Sequence, residues 1–330
     1  MGSVWPLRSV VALIGVSFCA FTASAKDKIV FGTNWLAEAE HGGYYQAIAD
    51  GTYAAYDLDV SIKPGGPQVN TGQLLAAGAL DIAIVTNSFV PLNLLKAGGE
   101  TIVIGTTFQK DPQALMSHPE AGYKTLADLK GHPVLISSQA WDGYWRFLKL
   151  RFGFTDDQAR KYSFSLVPFL ADNTLAQQAY VTSEPFSVRA AGINPTVFLL
   201  ADYGYASYGE LIMTSKKMVA EKPDVVRRFI EASITGWQHF MNGDNADAIA
   251  MIVKDNPDYS AKLATDTIGA MKQYGLVDSG DAKTLGLFAM SDERWKEFFD
   301  AMVQASLYPA DLDYRAAYTT KFVNKKFGMN

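Results

Sequence analysis

The chain has 330 residues, 48% hydrophobic and 19% charged, with 34 acidic against 29 basic side chains for a formal charge of −5. That length can bury a large core and favours two domains, while the acidic balance and the lack of any basic stripe exclude nucleic acid as an expected partner. One cysteine, Cys19, and four histidines without metal-ligand spacing leave neither a disulfide framework nor a metal site to expect.

Residues 1–25 read as a cleavable secretory signal: Arg8 gives the positive start, residues 10–21 the apolar core, and Thr22-Ala23-Ser24-Ala25 the small-residue cleavage pattern. The core is shorter than the ~20 apolar residues that span a bilayer, and Phe18 before Cys19 argues against lipid anchoring. The expectation is a periplasmic, soluble mature chain without cysteine, resting on its core alone.

Beyond the signal, strands and helices alternate. A strand over 28–32, a helix over 41–56 and a strand over 59–63 lead to the stop Pro64-Gly65-Gly66-Pro67. A helix over 68–78, a strand over 81–85, a helix over 88–96 closed by Gly98-Gly99, and a β-branched strand over 101–107 follow. A second unit starts near Asp111 with a short capped helix at 125–131, a strand at 133–137, and a helix at 141–152 ended by Gly153. It continues with a helix at 155–161, a strand at 163–168, helical segments 174–180 and 184–191 about a bend, and a strand at 195–201. Residues 211–214 return as a strand to the first unit, and helices over 223–242, 245–256, 260–274, 291–306 and 313–327 complete the chain. The pattern predicts an α/β fold of two lobes, each a mainly parallel sheet flanked by helices, with a helical C-terminal region. Lobe 1 takes 26–110 plus 208–330 and lobe 2 takes 111–207, with the cleft between them as the expected ligand site.

The strand-to-helix turn from Gly32 to Gln46 concentrates aromatic, amide and glycine residues, at the kind of position where open α/β folds bind ligands. Trp35 either stacks on a flat ligand or joins the core. Asn34 either contacts ligand or caps a helix, and His41 is either structural or a ligand contact. Gly42 and Gly43 permit close approach of ligand or of a packing neighbour. Gly66 and Asn87 hold equivalent positions after the second and third strands, where turn or cap roles compete with ligand contact. In the second unit Trp141 and Tyr144 are candidates for stacking, and Asp142 weakens the anion site of a helix start, favouring a neutral or amine-bearing ligand. Tyr180 and Glu184 share a helical face if the bend between them is helical. Glu184 then either accepts from an aminopyrimidine-type N–H pair or serves as a helix N-terminal charge. Tyr203, Tyr205 and Tyr208 either pack a hinge or line the cleft.

Five landmarks carry a family likeness: Asn34-Trp35 with His41-Gly42-Gly43-Tyr44-Tyr45; Gly51 with Tyr56-Asp57-Leu58-Asp59-Val60; Gly78-Ala79-Leu80-Asp81-Ile82-Ala83; Leu126-Ala127-Asp128-Leu129-Lys130-Gly131; and Tyr180-Val181-Thr182-Ser183-Glu184-Pro185-Phe186. In order, and with the helix over 223–240, they resemble the periplasmic substrate-binding proteins of ABC transporters in the thiamine-pyrimidine, sulfonate and nitrate group. The opening motif is most similar to the pyrimidine-precursor binders. The resemblance implies the two-lobed type II periplasmic binding protein fold, a small heteroaromatic solute bound by hinge closure, a membrane permease as partner, no cofactor, no catalysis and a monomer. Sulfonate, nitrate and aromatic acids stay open as ligands, and a sensory subunit stays open as a role. The same fold includes thiamine pyrimidine synthases, which use a lysine, a histidine and a cysteine cluster; Val85-Thr86-Asn87-Ser88-Phe89 supplies none of these, so that chemistry is not carried over.

Overall fold

Ten strands run along the chain: β1 (Asp27–Gly32), β2 (Leu58–Lys63), β3 (Ile82–Asn87), β4 (Thr101–Phe108), β5 (Gln113–Ser117), β6 (Val134–Ile136), β7 (Ala159–Lys161), β8 (Ala176–Tyr180), β9 (Thr196–Leu199) and β10 (Gly209–Ser215). They come from a computed structural model that describes residues 1–3, 25–141 and 143–329. Most of the expected signal segment, with Arg8 and Cys19, and also Asp142, lie outside the described residues. One sheet has the order β2-β1-β3-β10-β4 and the other β7-β6-β8-β5-β9. In each, one inserted strand, β10 or β5, runs antiparallel to the other four. The two sheets therefore repeat one topology, mainly parallel because helices carry the chain between successive strands.

The helices are α1 (Gly42–Ala49), α2 (Thr52–Ala55), α3 (Thr71–Ala76), α4 (Phe89–Lys96), α5 (Ser138–Trp141), α6 (Tyr144–Phe152), α7 (Val167–Ala171), α8 (Glu184–Ala190), α9 (Lys216–Glu221), α10 (Pro223–Asn242), α11 (Ala246–Asp255), α12 (Ala261–Tyr274), α13 (Ala282–Leu285) and α14 (Asp292–Gln304). None of the described helices is long and apolar enough to cross a membrane. Local chemistry explains many boundaries. Ser260 and Ser291 cap α12 and α14 by accepting from the N–H groups of Leu263 and Arg294. Gly98, at φ 78°, ends α4, with the Gly99 N–H returning to the Leu94 carbonyl at 2.8 Å.

Several expected elements are corrected. The helix expected over 41–56 is broken at Gly51, which is left-handed at φ 75°, and the one over 141–152 is interrupted at Gly143. Residues 176–180 form the strand β8, not a helix. It lies between β6 and β5 with Gln177 and Gln178 both buried, so sheet pairing overrides the helical preference of Ala and Gln. Residues 163–168 hold no strand; Pro168 sits in the first turn of α7, where its fixed φ suits a helix start. Residues 155–161 divide into a 3-10 turn and β7. The expected final helix is reduced to the 3-10 turn Tyr314–Ala317. Beyond it Tyr318 bridges Val103 of β4 and stacks on Trp295 at 4.8 Å, and positive φ at Asn324 and Lys326 prevents helix. β5 had no counterpart in the sequence reading.

The first sheet's core depends on α10, which buries Val226, Phe229, Ile230, Trp237 and Phe240 at helical spacing. Phe31 of β1, Tyr44 of α1 and Phe229 interleave, with Phe31–Tyr44 centroids 4.6 Å apart. α1 lies close on α10 because it begins Gly42-Gly43: a Cβ on Gly42 would overlap the Phe240 ring, and one on Gly43 the Trp237 indole. The packing role of Gly42 is thus the realised one. Ala at this position should lower stability by about 1–3 kcal/mol through overpacking, read by denaturant unfolding, and should leave affinity for a cleft ligand unchanged. Weakened binding at undiminished stability would return Gly42 to the site.

Candidate functional site

The C-terminal ends of β1 and β3 in one sheet face those of β6 and β8 in the other. Each pair flanks the point where successive connections leave in opposite directions, the position at which open α/β sheets form ligand crevices. Between them lies a cavity of about 480 Å³, within the usual range for small-molecule sites. The first unit lines it with Asn34, Trp35, Glu38, Glu40, His41, Gly66, Asn70, Thr86, Asn87, Phe89 and Glu210. The second contributes Gln113, Ser137, Gln139, Tyr144, Phe164, Gln178, Tyr180, Ser183 and Glu184.

A hydrogen-bonded tie runs under the first wall. Asn34 Nδ2 donates to Glu210 Oε1 at 2.8 Å, leaving its Oδ1 to accept from His41 Nε2 at 2.9 Å. This assigns the imidazole proton to Nε2 and leaves the buried Nδ1 without a partner. Burial pushes His41 down to about 3, so the ring is neutral. Asn34 therefore does not cap a helix: its amide is committed to Glu210 and His41. Glu210 has the left-handed φ of 50°, and the pairing of β10 with both neighbours steps over it. Such a backbone is disfavoured for a non-glycine residue and persists where the surroundings impose it.

The cavity is acidic. Among the described residues that line it, four are glutamates and none is lysine or arginine. Burial raises Glu40 to about 7 and Glu210 well above the carboxylate range, with neighbouring carboxylates adding to Glu210. Glu38 and Glu184, which keep some exposed surface, move the same way with burial as the leading cause. One oxygen each of Glu40, Glu210 and Gln113 is buried with no partner among the described residues. Glu184 is better provided: Oε2 accepts from the Tyr180 N–H at 2.8 Å and Oε1 from the Tyr162 hydroxyl at 3.2 Å. Tyr180 ends β8 and Glu184 opens α8, so they do not share a helical face; they meet through a turn that the carboxylate closes.

Aromatic rings supply the flat surfaces. Trp35 meets Phe164 across the cleft with centroids 5.2 Å apart, and Phe164 leans on Tyr162 at the same spacing. Phe164 is 41% exposed and held at φ 60°. Tyr144 is buried behind the second wall, its hydroxyl reaching Gln178 Oε1 at 3.5 Å. Asn87 accepts from the Phe89 N–H at 3.2 Å, so its carbonyl supports the start of α4 while the residue lines the cavity.

The cavity brings together Asn34, Trp35, His41, Gly66, Asn87, Tyr144, Tyr180 and Glu184 of the expected residues, and leaves out Gly42 and Trp141. Trp141 is 38% exposed and stacks instead on Trp145 at 6.1 Å. Tyr203, Tyr205 and Tyr208 do not line the cavity; Tyr205 and Tyr208 are buried packing near the crossover between the sheets. Sequence reasoning missed Glu38, Glu40, Glu210, Gln178 and Phe164. A signal existed for Glu210, a single charge opening the apolar run Leu211-Ile212-Met213. Glu38-Ala39-Glu40 was also legible as two carboxylates with no lysine or arginine beside them.

A family model described as "NMT1/THI5 like" matches residues 38–247. The chain is 22% identical over 317 residues to the riboflavin-binding protein RibY of Chloroflexus aurantiacus, covering 90% of this chain and 86% of that protein. It is 23% identical to a formylaminopyrimidine-binding protein of Halalkalibacterium halodurans, covering 75% and 77%. Among solved structures, the periplasmic aliphatic sulphonate binding protein SsuA of Escherichia coli matches with TM-score 0.65 at 15% identity, over 88% of this chain and 91% of that one. The desulfurization enzyme DSZB matches at 0.56 and 14%, over 90% and 97%. The fold is that of the two-lobed type II periplasmic binding proteins.

Glu40 gives the site a pH signature. The folded chain keeps its proton up to about 7, whereas the unfolded chain releases it near 4.5, so this group's contribution to stability is lost as pH rises through that window. Glu40→Gln has no such proton to lose. Its stability relative to wild type should climb from about pH 4.5 and level off above pH 7 in urea titrations; a pH-independent difference would refute the assignment.

Proposed function

From a chain that belongs to the NMT1/THI5-like family, we propose an extracytoplasmic solute-binding protein of an ABC importer that takes a small heteroaromatic solute by hinge closure. The observation that carries this reading is the cavity itself, walled from both sheets by aromatic rings and by amide and carboxylate groups. A solute touching both walls favours the closed arrangement only by its greater affinity for it. In this reading lobe 1 comprises 26–110 plus 208–330 and lobe 2 comprises 111–207. Residues 1–25 are a signal removed on export to the periplasm, and a monomer hands its solute to a membrane permease.

The pyrimidine-type ring is the favoured solute class. Formylaminopyrimidine and riboflavin, named for the two relatives, both contain such a ring. Trp35 would cover one face of the ring, with Tyr180 opposite and Tyr144 backing that wall. Asn87 through its Nδ2 and Glu184 through the remaining lone pairs of its oxygens meet the polar edge, and Asn34 holds the wall beneath. A thiamine-pyrimidine precursor meets these requirements with its amino group. Sulfonate, nitrate and aromatic acids fit less well, because the described lining offers an anion four glutamates and no cationic side chain. The role requires no cofactor and no covalent step.

A thermal-shift screen of the processed protein against aminopyrimidines, thiamine, riboflavin, sulfonates and aromatic acids tests the reading. Ligand bound only by the folded state raises Tm by mass action. A rise with a pyrimidine-containing solute is expected, and Trp35→Ala should weaken its binding by about 1–3 kcal/mol, roughly five- to 150-fold. A rise with anions alone would overturn the solute class while keeping the fold.

A further inference from the structure

Glu38 stands in extended backbone (φ −156°, ψ 174°) just before the 3-10 turn Ala39–His41, and it lines the cavity with some of its surface exposed. Its carboxylate makes no hydrogen bond to another described side chain or backbone group, in contrast to Glu184, whose two oxygens are both engaged. Behind it the same wall holds Glu40 and Glu210, 3% and 2% exposed, each with one carboxyl oxygen that has no hydrogen-bond partner among the described residues. His41 cannot provide the missing positive charge, since its Nε2 is committed to Asn34 and the ring is buried. A cluster of carboxyl groups in a dry wall without a counter-charge is costly, and here the unsatisfied oxygens border a space large enough for a solute.

We infer that the solute carries a protonated amine and that Glu38 is the group that receives it, in a wall where the carboxyl groups of Glu40 and Glu210 lie behind it. This rests on the solute-binding reading above and adds to it the charge of the solute and the residue that selects it. An ammonium group brings three donors and the charge that the wall lacks. A hydroxyl in the same place brings one donor and no charge. An anion meets no lysine or arginine among the described residues that line the cavity.

The test uses the processed protein and two probes with the same aminopyrimidine ring, one bearing an aminomethyl and the other a hydroxymethyl group, titrated by calorimetry near neutral pH. The aminomethyl compound should bind roughly tenfold more tightly or better, as expected for a charge-assisted pair. Glu38→Gln should abolish that preference, leaving the two compounds with affinities within about twofold of each other. Thermal unfolding of the variant establishes that it is folded. Glu210→Gln, which leaves Glu38 in place, should keep the preference for the aminomethyl compound. Equal binding of the two probes, or a preference that survives Glu38→Gln, overturns the inference and leaves the solute-binding reading intact. If neither probe binds and riboflavin does not bind either, the heteroaromatic reading fails and the inference falls with it.

Discussion

The chain passes between its two sheets at 109–112 and again at 204–209, and the rest of the molecule depends on how tightly these passages lie together. Gly209 lies tight against the other passage, where a Cβ would press on Pro112 and Asp111. Arg294 of α14 fastens the second passage, donating to the Ala206 and Ser207 carbonyls at 2.9 Å each while its guanidinium rests 4.2 Å from the Tyr208 ring. Gln109 fastens the first, its side chain donating to the Ala289 carbonyl at 2.9 Å. Both passages are therefore anchored to the C-terminal helical region, on the first sheet's side. The second sheet hangs from this anchored pair, which suits a joint that bends without slipping.

The same crossing produces the site. β10 enters the first sheet between β3 and β4, and its second residue is Glu210. A strand entering from another sheet has little freedom in its first residues, and the left-handed backbone at Glu210 records that constraint. Asn34, at the end of β1, is held by Glu210 across 176 residues of sequence. Hinge and cavity wall are in this sense one construction.

The legible part of the sequence was that governed by local rules. The first four strands, the return strand and the long amphipathic α10 follow from period and capping, because neighbouring residues decide them. So does the strand-end cluster around Asn34 and Trp35, since strand-to-helix turns are recognisable and carry ligands in this class of fold. The illegible part was decided at long range. Ala176-Gln177-Gln178-Ala179 favours helix in isolation and becomes β8 only because β5 and β6 flank it. Gly42 is a packing glycine because Phe240 stands opposite, nearly two hundred residues away. Trp141 turns towards Trp145 on its own side of the lobe, a choice that composition cannot reveal. The acidity of the cavity also escaped notice: Glu38 and Glu40 are distant in sequence from Glu184 and Glu210, and only folding gathers them.

The contact between Trp35 and Phe164 bears on time rather than on affinity. The two rings come from opposite walls and meet across the cleft, so a solute passing between them must part them on entering and again on leaving. A latch of this kind slows arrival and departure together. The interior groups decide which solute is held, whereas the latch decides how long. Retention that outlasts the journey to a membrane partner can thus be set without altering selectivity, and the two properties are free to diverge among proteins that share this cavity.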